Sequence, residues 1–256
     1  MYMGYPDSPT FLKETVLKAL ANVLDPELDR PITELGFVRD IKVGDSIEVE
    51  IVTSTYWCSP NFIYMILEDA RREVSKYVEV PLDRVRVYIR GHFDESRINE
   101  CVNKGILFNE CYREEAWEDL EDLKRIFADK SLRSRLYQLV NVLLRYGLNY
   151  EDIVSLRLAD IVDEGHRMVV RGRDGIVEIS SSTDIKIIRG YINTVKRLAG
   201  STEYLAVWSV NGDRPSIPDI RDLVESRGRL LRFSFNLNSE LCSLLLESRL
   251  SRGLDS

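Results

Sequence analysis

The N-terminal part of the chain changes between a helical and a strand-like spacing of apolar residues. The pattern predicts a helix over about 9–24, strands over about 38–43 and 47–53, a second helix over about 60–74 and a third strand over about 85–90. Pro81 separates the second helix from the third strand. The order helix, strand, strand, helix, strand predicts a small α+β unit that ends near Arg90.

Beyond that unit the apolar spacing is mainly helical. The pattern predicts a helix capped by Asp94, an amphipathic run that ends at Gly147, a hairpin over about 168–179, a helix over 184–198, a strand over 204–208 and two last helices. We therefore predict an α+β protein with two domains, residues 1–92 and a mainly helical extension over residues 93–256 that includes the short hairpin.

Composition and charge exclude several classes of protein. The 256 residues are 44% hydrophobic and 30% charged, which is typical of a globular chain. A net charge of -7 argues against nucleic acid as a partner. We find no apolar run that could span a bilayer and no signal peptide at the N-terminus, so we expect a cytoplasmic protein without a membrane partner.

The four cysteines form no Cys-x-x-Cys pair and do not suggest disulfides, which fits a reducing compartment. We interpret Cys101, Cys111 and Cys242 as packing residues on helices. Only two histidines, His92 and His166, could add to a metal site. A complete metal shell within one chain would therefore need carboxylates or distant cysteines brought together by folding.

Cys58 is the cysteine with the most informative surroundings. It lies between a predicted strand and a predicted helix, with Ser59 as a candidate N-cap and Pro60 at the first helical position. Free backbone N-H groups at a helix N-terminus favour a thiolate, which is a good nucleophile and metal ligand. The alternative is a small buried side chain that only fills space.

Several ordered motifs resemble the small metal-sulfur (iron-sulfur) cluster assembly domain. They are Asp25-Pro26-Glu27-Leu28, the segment Ile32 to Val38, a strand ending in Thr53, Cys58 followed closely by Pro60, and a closing Val-x-Val-x-Ile strand. This family includes the phenylacetate-degradation D protein and the eukaryotic cytosolic iron-sulfur targeting factors. The resemblance covers roughly the first third of the chain, and Ser59 departs from the common Cys-Pro pair.

A longer sub-branch of this family is similar over more of the chain. Its members carry Cys-Ala/Ser-Pro-Asn-Phe and are found with bacterial and archaeal multicomponent monooxygenases. The matching residues are His92-Phe93, Ile98-Asn99, Gly105, Ser239-Glu240, Leu241-Cys242 and Leu245-Leu246.

The resemblance implies a set of site residues around Cys58, each with a structural alternative. Asp25 and Glu27 would act as a proton acceptor or hard co-ligand, or would only cap a turn. Thr53 and Thr55 would hydrogen-bond the thiolate, or would only be strand residues. Asn61 would orient a partner or ligand. His92 is a candidate metal ligand beside Cys58, or a satisfied histidine without that role.

The implied function is iron-sulfur cluster assembly or metalloenzyme maturation, with no turnover chemistry. Cys58 would hold iron or an iron-sulfur cluster transiently, the isolated protein could lack it, and the client would be a metalloenzyme such as a multicomponent monooxygenase. Because a cluster normally takes four protein ligands, a second protomer in a homodimer, a small thiol or the client would supply the rest. The alternatives are a metal-free interaction subunit and an enzyme with Cys58 as covalent nucleophile, which lacks an obvious histidine base.

A second resemblance concerns Gly147 to Ile153, Leu156 and Asp160, which are similar to the opening of the tyrosine-recombinase catalytic domain. Asn149 lies about where that family needs an arginine, and no His-x-x-Arg box follows. Strand exchange requires those cations to stabilise the phosphoryl transition state, so we do not expect it here.

Overall fold

A three-stranded sheet with helices packed on it forms the N-terminal part of the computed structural model, which describes residues 9–113, 120–173, 175–199 and 202–252. Two compact units divide the chain, Met1–Lys124 with Phe235–Ser256, and Arg125–Ser234. The segment predicted as the first domain, residues 1–92, lies within the first unit.

The first unit has the predicted order of helices and strands, so the predicted α+β class is confirmed. Its elements are α1 (Pro9–Leu20), β1 (Leu24–Asp25), β2 (Arg30–Pro31), β3 (Val38–Val43), β4 (Ile47–Val52), α2 (Pro60–Val78), β5 (Val85–Arg90), α3 (Glu95–Lys104) and α4 (Phe108–Cys111). In the sheet, β4 is central, antiparallel to β3 and parallel to β5. The first helix ends at Leu20, earlier than predicted, because Leu24 and Asp25 pair with Arg30 and Pro31.

The period-two pattern explains the core of this unit. Alternate residues of β4 and β5 are fully or almost fully buried, and so is one face of α2: Ile47, Val49, Ile51, Val85, Val87, Ile89, Ile63, Ile66, Leu67, Ala70 and Val74. Burying this apolar surface against α1 and α2 is the main favourable term in the stability of the unit.

The outer edge of β5 is covered by side-chain amides of α3. Asn99 accepts a hydrogen bond from the Ile89 N-H (2.8 Å) and donates one to the Ile89 carbonyl oxygen (3.1 Å). Asn103 makes the equivalent pair with Val87. The two asparagines take the place of a further strand and fix the end of β5, from which Gly91 and His92 continue.

The second unit contains helices and a small three-stranded sheet. Its elements include α5 (Leu120–Arg145), α6 (Tyr150–Ser155), β6 (Ile161–Asp163), β7 (Met168–Arg171), β8 (Ile176–Ile179), α7 (Ser182–Leu198), α8 (Ile217–Asp222) and α9 (Gly228–Ser251). Two of these helices extend into the first unit. Helix α5 begins there, and the C-terminal part of α9 also belongs to the first unit.

Two strand predictions in this region need correction. The hairpin over 168–179 forms, but β6 adds a third strand antiparallel to β7. The predicted strand over 204–208 is wrong, since Tyr204 makes only an isolated bridge with Arg157.

The cysteine prediction also needs correction. Cys101 and Cys111 form a disulfide that links α3 to α4, so they are not simply packing residues, and the expectation of no disulfide is wrong. Cys58 and Cys242 are free thiols. Within the described ranges, each helix is either too short or too polar to cross a bilayer.

Candidate functional site

The loop between β4 and α2 carries the thiol of Cys58, which is partly exposed. The hydroxyl of Thr53 donates a hydrogen bond to the carbonyl oxygen of Thr55 at 3.1 Å. Thr55 Oγ1 and Cys58 Sγ share a hydrogen bond of 3.2 Å. The structure thus joins three of the predicted site residues in one chain of contacts, in which Thr53 shapes the turn and Thr55 contacts the sulfur.

The start of α2 follows the sequence prediction, with Ser59 at the N-cap and Pro60 as the first helical residue. Ser59 makes no side-chain cap and instead donates to the side-chain oxygen of Asn61. The same Asn61 oxygen accepts the N-H of Phe62 at 2.9 Å. Asn61 therefore shapes the first turn of the helix that follows Cys58.

His92 is buried beside the same loop. Its Nδ1 accepts the backbone N-H of Asp94 at 3.1 Å, so Nε2 carries the proton and donates to the carbonyl oxygen of Cys58 at 2.7 Å. Burial lowers the pKa of His92, which favours this neutral form. As a metal ligand, His92 would have to give up one of these hydrogen bonds.

The same contact bears on Cys58 as an enzyme nucleophile. A histidine base must reach the proton on the sulfur, and His92 instead contacts the backbone oxygen of Cys58. The hydroxyl of Thr55 is the hydrogen-bond partner of the sulfur. The geometry thus gives His92 a role in positioning the loop.

Asp25 is buried at the end of β1, where the turn to β2 begins. One of its carboxylate oxygens accepts the backbone N-H groups of Glu27 (2.9 Å) and Leu28 (2.8 Å), as in a capped turn. Burial raises the pKa of Asp25 to about 6, although these two hydrogen bonds act in the opposite direction. Asp25 can therefore exchange a proton near neutral pH, whereas Glu27 is exposed.

The C-terminal part of α9 belongs to the first unit and contacts the loop that carries Cys58, which the sequence interpretation missed. The guanidinium of Arg249 is buried and donates to the carbonyl oxygens of Thr53 (2.8 Å) and Gly91. Near the other end of this segment, Arg30 Nη1 donates to Ser239 Oγ at 2.7 Å. Two arginines therefore join α9 to β2, to the end of β4 and to the residue before His92.

This arrangement brings Cys242 into the surroundings of Cys58. Burial raises the pKa of Cys242, and a hydrogen bond with the Ser54 side chain acts in the opposite direction. Electrostatic interactions with Asp25, Cys58 and Glu27 raise the same pKa further. Cys242 also packs against the hydrophobic core of this unit, which agrees with its interpretation as a packing residue.

Three exposed aromatic rings adjoin the thiol. Trp57 is 73% exposed, and its ring stacks on Phe93 with centroids 5.2 Å apart. Tyr56 contacts Trp57 edge to face at 4.9 Å. We call Tyr56, Trp57 and Phe93 the aromatic cluster. Exposed aromatic groups of this kind are common where proteins bind other proteins.

The described residues show no ready-made metal centre. Among them, no three histidine, cysteine, aspartate or glutamate side chains are grouped closely enough to hold a metal ion. Within this part of the chain, the site offers the partly exposed thiol of Cys58.

Comparisons with known proteins agree with the expected family. The sequence profile described as iron-sulfur cluster assembly protein matches residues 13–85. An uncharacterized protein of Methanocaldococcus jannaschii is 30% identical over 94 residues, which are 36% of this chain and 95% of that protein. This chain therefore belongs to the iron-sulfur cluster assembly family, which confirms the prediction at that level.

Two further relatives are each described as an iron-sulfur cluster carrier protein. That of Mycobacterium leprae is 51% identical over 49 residues, 18% of this chain and 13% of the carrier. That of Mycobacterium tuberculosis is 37% identical over 89 residues, 34% of this chain and 22% of the carrier. The chain thus spans less than a quarter of either carrier. No solved structure matches the chain significantly.

Proposed function

We propose that this protein is an assembly factor that holds iron or an iron-sulfur unit at Cys58 and delivers it to a client metalloenzyme. The observation that carries the proposal is the partly exposed Cys58 thiol, which shares a hydrogen bond with Thr55 in a protein of the iron-sulfur cluster assembly family. The names of the mycobacterial carriers support the same cargo.

The thiol suits transfer because a soft thiolate binds iron, while a small number of protein ligands allows release. An iron-sulfur cluster normally takes four protein ligands. The missing ligands come from a second protomer, a small thiol or the client. The cargo is therefore transient, and the purified protein can lack it.

Proton transfer must accompany binding, because a thiol loses its proton when it becomes a metal ligand. Asp25, with a pKa of about 6, can receive a proton near neutral pH. We assign Asp25 this role, while His92, Thr53 and Asn61 hold the backbone around Cys58.

The aromatic cluster provides the contact for the client, because it is exposed and Trp57 directly precedes the thiol in the chain. The chain resembles the longer sub-branch, whose members are found with multicomponent monooxygenases. This resemblance suggests a multicomponent monooxygenase as the client. The protein itself then performs no turnover chemistry.

Anaerobic reconstitution with ferrous iron and sulfide tests the proposal. The wild-type chain should bind both, and Cys58→Ser should bind little of either while unfolding at nearly the same temperature. The matched control is the double variant Cys101→Ser/Cys111→Ser, which removes two sulfurs outside the proposed site and should still bind iron and sulfide.

The second stage measures transfer from the loaded protein to an apo-ferredoxin as a general acceptor. Transfer by the wild type and none by Cys58→Ser supports the proposal. Equal iron and sulfide content in wild type and Cys58→Ser would show that Cys58 is not the site.

A further inference from the structure

We infer that Cys242 is a second sulfur ligand, so that Cys58 and Cys242 form a dithiol site for a soft metal ion. This inference rests on the proposed function, because it assigns a second ligand beside Cys58 to this chain. The family profile ends at residue 85, so Cys242 lies outside the matched segment.

The placement of α9 carries the inference. Ser239, Cys242, Leu246 and Arg249 recur at spacings of three and four residues, so they share one face of the helix. Ser239, Leu246 and Arg249 on this face are buried, whereas Cys242 is only partly buried. Among these four residues, Cys242 is thus the one that solvent reaches.

The contacts on either side of Cys242 fix where it lies. Toward the start of this segment, Ser239 accepts a hydrogen bond from Arg30, five residues after Asp25. Toward the end, Arg249 donates to the carbonyl oxygen of Thr53, the residue that begins the Cys58 loop. Cys242 is thus held between the Asp25 turn and the Cys58 loop, and both free cysteines pack against the same core.

The charges around Cys242 favour a cation. Electrostatic interactions with Asp25, Cys58 and Glu27 each raise the pKa of the Cys242 thiol. Arg249, seven residues further along the same face, donates to two backbone carbonyl oxygens. A soft divalent cation between the two sulfurs would balance these charges, and thiolates select such metals.

Two sulfurs from one chain also explain the absence of a complete metal centre among the described residues. A pair fills half of the four positions of a tetrahedral thiolate site. The remaining positions stay open for sulfide, a small thiol or ligands of a second protein, as a transfer site requires.

A trivalent arsenical tests the pair in the unaltered protein. Phenylarsine oxide reacts with two thiols, forming two As-S bonds and releasing its oxygen as water with the two thiol protons. We expect one cyclic adduct that protects both Cys58 and Cys242 from iodoacetamide. Free alkylation of either cysteine in the presence of the arsenical would overturn the inference.

Cobalt(II) then tests the metal, with full-length chains under anaerobic conditions. Sulfur-to-cobalt charge-transfer absorption reports the thiolates bound, so Cys242→Ser should lose about half of it and bind at least about tenfold more weakly. Ser243→Ala, one residue further along α9, is the matched control and should bind as wild type.

The two proposals fail differently in this experiment. If Cys242→Ser binds cobalt as wild type while Cys58→Ser does not, the dithiol site is wrong and the proposed function stands. If Cys58→Ser retains wild-type binding and intensity, the proposed function is wrong as well. Because Cys242→Ser can alter packing, the arsenical result on the wild-type chain decides the case if that variant fails to fold.

Discussion

The Nε2 atom of His92 donates a hydrogen bond to the carbonyl oxygen of Cys58 at 2.7 Å. This contact joins residues 34 positions apart and ties the end of β5 to the loop that carries the thiol. A buried imidazole therefore sets the backbone of the site without contacting the sulfur.

We expect His92→Ala to lower the free energy of unfolding by about 1–3 kcal/mol, because it leaves the Cys58 carbonyl group and the Asp94 N-H without their partner. Urea unfolding measures this change. The control is His166→Ala at an exposed position, which should change stability by less than about 0.5 kcal/mol. Equal effects of the two substitutions would contradict the positioning role of His92.

The carboxyl group of Asp25 makes stability depend on pH. The folded protein holds this proton up to about pH 6 and the unfolded chain releases it near 3.8, so stability is lost as the pH rises between these values. Asp25→Asn keeps an oxygen for the two N-H groups and should be more stable than wild type at pH 8, by up to about 3 kcal/mol.

Urea unfolding of both chains at pH 8 and pH 4 checks this prediction. The advantage of Asp25→Asn should shrink as the pH falls from 6 toward 3.8. Glu27→Gln is the control, because Glu27 is exposed and its charge costs little. A constant difference across this range would show that burial does not hold the Asp25 proton.

Arg249 should be the main anchor of the last helix. Arg249→Met keeps the apolar stem but leaves the carbonyl oxygens of Thr53 and Gly91 unpaired, which should cost about 2–3 kcal/mol. Hydrogen exchange should show faster opening of α9 around residues 239–249. Arg252→Met, at an exposed position, is the control and should leave exchange unchanged.

Substitutions in the aromatic cluster should affect the transfer of iron and sulfide to the client more than the binding of iron and sulfide by this protein. Trp57→Ala removes a 73% exposed ring, so stability should fall by less than about 1.5 kcal/mol. Iron and sulfide content should stay at the wild-type level, while transfer to the client slows. Tyr77→Ala, an exposed aromatic at the other end of α2, is the control, and equal slowing by both would argue against a specific contact.

Alkylation without reductant should label Cys58 and Cys242, and leave Cys101 and Cys111 linked. Cys58 should react faster, because burial and nearby negative charges raise the pKa of Cys242 and so lower its thiolate fraction. Peptide mass spectrometry identifies each labelled cysteine. Labelling of Cys101 or Cys111 in the native chain would contradict the disulfide.

The sequence predicted most of the first unit because its signals are local. Alternating residues such as Val49 and Ile51 define β4, and Ser59 with Pro60 defines the start of α2. The strand predicted over 204–208 failed because apolar residues there are buried without a partner strand along their length. A short apolar run indicates that its residues are buried. Whether they form a strand depends on the segments that pack beside them.

The candidate site was predicted only in part, because its remaining contacts join distant positions. The turn motif identified Cys58. Thr55 shares a hydrogen bond with the Cys58 sulfur, which was one of the two alternatives for Thr55 in the sequence analysis. The approach of α9 depends on Arg249 reaching Thr53 across 196 positions, and no local spacing encodes such a pair. Helical periodicity places Cys242 on one face of a helix. It does not show that this face packs against the hydrophobic core of the first unit.

The position of α9 at the end of the described chain has a consequence for synthesis. The β4–α2 loop and Cys58 emerge from the ribosome before α9, and the sheet around them can begin to fold while the second unit is still being made. Arg249 and Cys242 arrive only with the last described helix. An interrupted chain would therefore expose a lone thiol without its anchoring helix, and only a chain translated through α9 could receive cargo on both sulfurs.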